Sequence, residues 1–238
     1  MLANYLFGGI ILGLFSSSVS EILARVIVLF AAISVHEFAH GYVAYKLGDP
    51  TAKYAGRLTL NPMSHLDPIG AVCMALFGFG WAKPVPVNPV YFKDRKRDTA
   101  LVALAGPLSN ILMAFLSLFL VTFYSKLGNV NIVNGNIFYG FESNIVEFGF
   151  VTLCQFAFLN VGFAVFNLIP FPPLDGSKIL GAFLSQRSYA KLLLYETIGF
   201  PILMLLSFTG VLGMVLNVIR TPILNLWTAC LGQLINLM

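Results

Sequence analysis

An apolar run from Ile22 to Leu47 carries, in its second half, the pentapeptide His36-Glu37-Phe38-Ala39-His40. A run of that length crosses a bilayer as a helix. A titratable side chain inside hydrocarbon costs about 2.5–3.5 kcal/mol on insertion scales, and here three fall within one stretch of five. At 3.6 residues per turn His36 and His40 lie one above the other on the same face, close enough to share one metal ion. Glu37 sits beside the first histidine, where it reaches a water bound to that metal. This is the HExxH arrangement, with two imidazoles on Zn²⁺ and the glutamate as general base. On a soluble helix the same residues fit an ordinary polar surface. Within hydrocarbon a metal accounts for them, because it takes neutral imidazole and stabilises a nearby carboxylate.

The rest of the chain is equally apolar. Of 238 residues, 58% are hydrophobic and 10% charged, which defines an all-α polytopic membrane protein. The net charge of +4 does not point to nucleic acid; its placement reports topology. Cys73, Cys154 and Cys230 are scattered through apolar segments without CxxC spacing and read as small hydrophobes. Beyond Ile22–Leu47, apolar runs cover Leu2–Phe15, Ile69–Trp81, Ala100–Tyr124, Ile145–Pro170, Leu192–Ile219 and Pro222–Met238. They predict about six transmembrane helices. Leu2–Phe15 is short and lacks a basic leader, so it reads as a retained first segment. Ile69–Trp81 is too short to cross alone. Treating it as re-entrant puts 11 of the 14 basic residues on the cytoplasmic side, with Arg25, Lys126 and Arg220 opposite. Treating it as a span weakens that bias.

No soluble domain is expected, and residues 1–238 read as one membrane-embedded unit. The polar connections Gly48–Pro68 and Ala82–Thr99 are rich in Pro and Gly. Pro84, Pro86 and Pro89 favour extended geometry after Trp81. That piece is either a stiff surface loop or a short extended lip that guides a substrate backbone toward the metal.

A catalytic zinc takes three protein ligands and a water. Ten carboxylates are available. Glu21 lies about 22 Å along the helix from His36 and pairs with Arg25 one turn on. Asp49 and Asp67 sit in the loop after the motif helix, near His65, the spare histidine. Asp175 stands apart, at the end of Asn167-Leu-Ile-Pro-Phe-Pro-Pro-Leu-Asp-Gly. The prolines stop the preceding helix and place Asp175 on unwound chain at the cytoplasmic part of the membrane. It is either the third ligand or the N-cap of Gly176–Ser185.

HEFAH in a membrane helix followed far downstream by NLIPFPPLDG resembles the site-2 protease family of intramembrane zinc metalloproteases. Gly106-Pro-Leu-Ser-Asn110 fits that family's GPxxN pattern, and NPMSHLDPIG and GWAKPVPVNP resemble its compact prokaryotic branch, which lacks PDZ and CBS modules. The resemblance spans about residues 20–190, with 192–238 as C-terminal helices. It implies one Zn²⁺ per chain on His36, His40 and Asp175, and a part for Asn167 in substrate handling. Gly106 and Asn110 share a helix face. Gly106 permits close approach, and Asn110 reads either as interhelical packing or as a donor to the substrate carbonyl and oxyanion.

The function expected is hydrolysis of peptide bonds in or near transmembrane segments, with access from the cytoplasm. By resemblance the substrates are single-span membrane proteins in a prokaryotic plasma membrane. Gating then falls to the chain's own helices, to a regulatory membrane partner or to a second copy. A metal or proton transporter using the same four residues is the rival from another class, but no inverted repeat supports it. An inert scaffold is the third reading, against which stands the intact Glu37.

Overall fold

The computed structural model describes residues 19–70, 81–127, 131–133, 136–138 and 144–237. The expectations for Leu2–Phe15 and for most of Ile69–Trp81, the re-entrant segment included, lie outside the described residues.

The motif helix, α1, runs Val19–Lys46. Val28, Ala32, His36, His40 and Ala44 are all buried and spaced four apart, which makes one continuous ridge along the helix. The short helix α2 (Thr51–Tyr54) follows. Helix α3 (Arg95–Leu127) is the central element, packed on α1, on α4 (Asn144–Leu168) and on α5 (Asp175–Phe183). Its buried positions Ala103, Gly106, Asn110, Ala114 and Ser117 form a stripe of small residues. Such stripes let helix backbones approach within a membrane, where apolar surface alone does not separate protein from lipid. Hydroxyls inside the helices bond their own backbone one turn back, as in Ser34 to the Phe30 carbonyl (2.6 Å) and Ser117 to that of Met113 (2.8 Å).

At the far end of α3, strand β1 (Asn131–Val133) pairs antiparallel with β2 (Asn136–Phe138), Ile132 opposite Ile137. At the near end, α1 closes with tyrosines and lysines. Lys46 lies over the Tyr42 ring, and Lys53 Nζ donates to the Tyr45 hydroxyl at 3.1 Å, a bond that raises the lysine above its ordinary pKa. Amphipathic rings and snorkelling lysines of this kind mark a membrane–water boundary.

The carboxyl-terminal region departs from the sequence expectation. Three described helices are long and apolar enough to cross a membrane, over Val26–Lys46, Arg95–Val121 and Ile145–Leu168. The pair α6 (Gln186–Leu194) and α7 (Glu196–Phe208), bent by 52°, makes a fourth if counted as one broken span. About six spans are therefore not what the described residues contain. Nor does a break fall at Arg220–Pro222. The chain turns at Gly210, whose φ of +76° suits a residue without Cβ, and α8 then runs Val211–Leu237 straight through Pro222. Membrane helices tolerate such an interior proline because neighbouring groups take up the freed carbonyl.

Candidate metal centre

Three residues from two helices meet beneath α3. His36 Nε2 and His40 Nε2 lie 3.0 Å apart, and Asp175 Oδ2 lies 3.2 Å from the first and 3.1 Å from the second. The two rings stand edge to face at 88°, so both nitrogens aim at one point. All three side chains are buried.

The hydrogen bonds behind the rings decide what faces that point. His36 Nδ1 lies 2.6 Å from Asn110 Oδ1, and His40 Nδ1 lies 2.7 Å from the Val102 carbonyl. Each is an acceptor, so each Nδ1 carries the ring's proton and each Nε2 of a neutral ring presents a lone pair. Asp175 Oδ2 is buried without a hydrogen bond. Three lone pairs within 3.2 Å of one another repel unless a cation lies among them. A proton on one Nε2 would pair that ring with the carboxylate and still leave the other ring's lone pair facing the same oxygen, whereas a metal ion satisfies all three atoms. The donor set of two imidazoles and one carboxylate therefore fits a metal ion, and it is the ligand set of a catalytic rather than a closed structural site.

Local sequence explains why these atoms meet. A Cβ on Gly106 would fall onto the ring atoms of His40 and His36, so only glycine lets α3 cover them. A Cβ on Gly176 would likewise collide with the carbonyls of Leu168 and Ile169, where the chain folds back after α4. Asp175 is not on unwound chain, nor is it an N-cap. It is the first residue of α5; Leu174 occupies the cap position with no side-chain bond. The extended piece is the proline-rich stretch before it. The carboxylate thus leaves its own helix and turns to the histidines, with Lys178 Nζ 4.0 Å from its other oxygen.

Glu37 follows His36 directly on α1 and is engaged by the neighbouring loop. Its Oε2 accepts from the Val85 N–H at 2.8 Å. Val85 lies in the extended segment that begins with the Leu66–Ala82 bridge. Buried charges hold that segment in place. Arg57 Nη2 donates to the carbonyls of Lys83 (2.5 Å) and Pro84 (3.2 Å), and the Asn88 N–H donates to Asp49 Oδ2 at 2.7 Å. Pro84 and Pro86 have no N–H, which leaves Val85 as the donor opposite Glu37. Gly41 makes room for the Val85 side chain, since a Cβ there would come within 3.2 Å of it. The proline-rich segment therefore runs beside the motif helix, joined to it at Glu37.

The remaining candidates separate. Asn110 is fully buried and its amide is engaged with His36, Asn160 (2.7 Å) and the Ala32 carbonyl (3.4 Å). Asn167 is half-buried at the end of α4 and donates to its own helix, at the Phe163 carbonyl (3.1 Å). His65 is buried against the Thr59 carbonyl, away from the cluster. Sequence reasoning did not find Val102 or Val85, which act through backbone groups; Asn160 shares a face with Asn167 in the sequence pattern, and the structure shows its partner to be Asn110.

Helices fit for a bilayer, a buried two-histidine, one-carboxylate centre and an adjacent glutamate define a membrane-embedded metallohydrolase. Residues 24–210 match the model of peptidase family M50, the site-2 protease family, and the chain belongs to that family. It is 40% identical over 214 residues to "Putative zinc metalloprotease YwhC" of Bacillus subtilis, covering 88% of this chain and 93% of that one. It is 29% identical over 190 residues to "Putative zinc metalloprotease Rip2" of Mycolicibacterium smegmatis, covering 76% and 65%. With "Zinc metalloprotease MJ0392" of Methanocaldococcus jannaschii it shares 28% over 190 residues, 79% of this chain and 43% of the relative. No solved structure matches the chain.

Proposed function

We propose that this protein is an intramembrane zinc endopeptidase that cuts peptide bonds in or beside the transmembrane segments of single-span membrane proteins. His36, His40 and Asp175 hold one zinc ion per chain, and Glu37 is the general base. The observation that carries the reading is the convergence of three buried lone pairs, the two imidazoles held in place from behind and the Asp175 oxygen left without a hydrogen bond, next to a glutamate one residue along. The relatives' names specify the same metal and reaction class.

When bound, the zinc supplies Lewis acidity toward water and toward a carbonyl oxygen. The chain does the rest. Val85 N–H engages Glu37 Oε2, which leaves Oε1 to take the proton of the attacking water and to pass it to the leaving amine. Asn110 keeps His36 turned and does not reach out to substrate. A substrate helix hides its carbonyls in its own hydrogen bonds, so it must unwind before attack. The lip from residue 81 to residue 88 is a ready extended edge against which an unwound segment lies. Asn167, half-buried at the end of α4, handles the substrate chain. Basic residues gather where α1 ends and α3 begins, the same end as the metal ligands, and this supports a site opening to the cytoplasm of a prokaryotic plasma membrane. The whole chain acts as one catalytic unit, gated by its own helices, by a regulatory membrane partner or by a second copy.

The test is cleavage of a panel of single-span model substrates in liposomes by wild type and Glu37→Gln, with zinc measured on both. The expected outcome is about one zinc per chain in each, with cleavage by wild type alone. Wild type that is folded but binds no zinc would sink the reading.

A further inference from the structure

The two metal-facing histidines are oriented by different means. A ring that offers Nε2 to a metal must keep its proton on Nδ1. For His40 the Val102 carbonyl ensures this directly, because a carbonyl only accepts. For His36 the partner is a side-chain amide, which presents either an oxygen or an NH₂ group depending on its rotation. Turned the wrong way, Asn110 would offer a donor to His36 and drive the ring's proton onto Nε2, toward the metal.

What prevents this lies one helix further out. Asn160 Nδ2 donates to the Phe156 carbonyl at 2.8 Å, one turn back on α4. That carbonyl cannot donate, so Asn160 must point Oδ1 the other way. Asn160 Oδ1 then accepts from Asn110 Nδ2 at 2.7 Å, and the Ala32 carbonyl lies 3.4 Å from the same nitrogen. Asn110 has its NH₂ committed and is left with Oδ1 for His36. Both asparagines are 0% exposed, so bulk water does not substitute for either bond.

We propose that Asn160 is a positioning residue for the metal centre. The Phe156 carbonyl, Asn160, Asn110 and His36 Nδ1 form a relay of hydrogen-bond polarity that fixes the tautomer of one ligand from the backbone of α4. This rests on the zinc reading of the site. Asn160 acts through Asn110, and the same device is absent from His40 because a backbone carbonyl already serves there.

The experiment measures zinc affinity of the full-length protein in detergent by chelator competition. Imidazole ¹⁵N shifts of histidine-labelled, zinc-stripped protein are recorded alongside, with His36 assigned from a His36→Gln spectrum. Asn160→Leu keeps roughly the side-chain volume and removes the acceptor. Its zinc affinity should fall about 10- to 100-fold, and the His36 signal should move from the Nδ1–H form to a mixture. Asn160→Asp restores the pattern, because burial keeps the introduced carboxyl neutral: its O–H donates to Phe156 and its C=O accepts from Asn110. Its affinity should stay close to wild type. A residue that merely fills space predicts the opposite order, with leucine tolerated and aspartate harmful. Wild-type affinity and tautomer in Asn160→Leu overturn the relay, as does equal weakening in both variants. Wild type without zinc overturns the zinc reading along with it, so the two failures are distinguishable.

Discussion

The half of the molecule that holds the metal and the half that follows it are built on different terms. Among the described residues, every buried polar or charged side chain lies between Ser34 and Ser177. In α7 and α8 the buried side chains are Leu203, Leu212 and Leu216, and Leu205, Met214 and Val218 are more than 60% exposed. In hydrocarbon an apolar face gains little by choosing protein over lipid, so these leucines fix position weakly. The first half adds directional bonds and close backbone approach: Asn110 to Asn160 and His36, Arg57 to the lip, Gly106 against the rings. Precision in this protein comes from polar groups placed where solvent cannot compete for them.

Substitutions that break one half and spare the other sharpen this contrast. Asp175→Ala or His40→Ala removes one of three ligand atoms, and purified protein should lose both its zinc and its cleavage of model substrates. Glu37→Gln should keep zinc and lower kcat by about 10²- to 10⁴-fold in the same assay. Val85→Pro deletes the N–H that holds Glu37. A bond to a charged group is worth about 1.5–3 kcal/mol, so kcat should fall about 10- to 100-fold at unchanged zinc content, while Val85→Ala, which keeps the N–H, loses less. Gly106→Ala forces a methyl group against both histidines and should cost about 1–3 kcal/mol of stability by detergent-phase denaturation, with weakened zinc. Gly213→Ala in α8, where a Cβ meets nothing within 4 Å, should change stability by less than about 0.5 kcal/mol. Equal penalties for the two glycines would erase the distinction between the halves.

The same contrast governs what was legible in the sequence. α1 could be read almost to its ends, because its apolar run and its motif are local signals. Asp175 could be narrowed to ligand or cap from the prolines around it, and the family resemblance chose the ligand. The partners of the two Nδ1 atoms could not be read. They depend on which face α3 turns to α1, and a helix apolar on all sides gives no periodicity to reveal it. Arg220 and Pro222 looked like a loop because charge and proline usually interrupt a span, yet α8 continues through both and the chain turns at Gly210 instead.

Asp175 and His40 are separated by 135 positions in the chain (175 − 40), and their ligand atoms lie 3.1 Å apart. An ion held between them is also a strut that ties the start of α5 to α1 across the whole of α3 and α4. Ligand binding to the folded state alone raises its stability, so depletion of the metal loosens the joint between α5 and α1. The melting temperature of the protein should therefore rise with free zinc, and proteolytic nicking of the proline-rich stretch before α5 should rise as zinc is withdrawn. The same ion that would serve the chemistry would thereby also hold together two stretches of chain that meet only at the site.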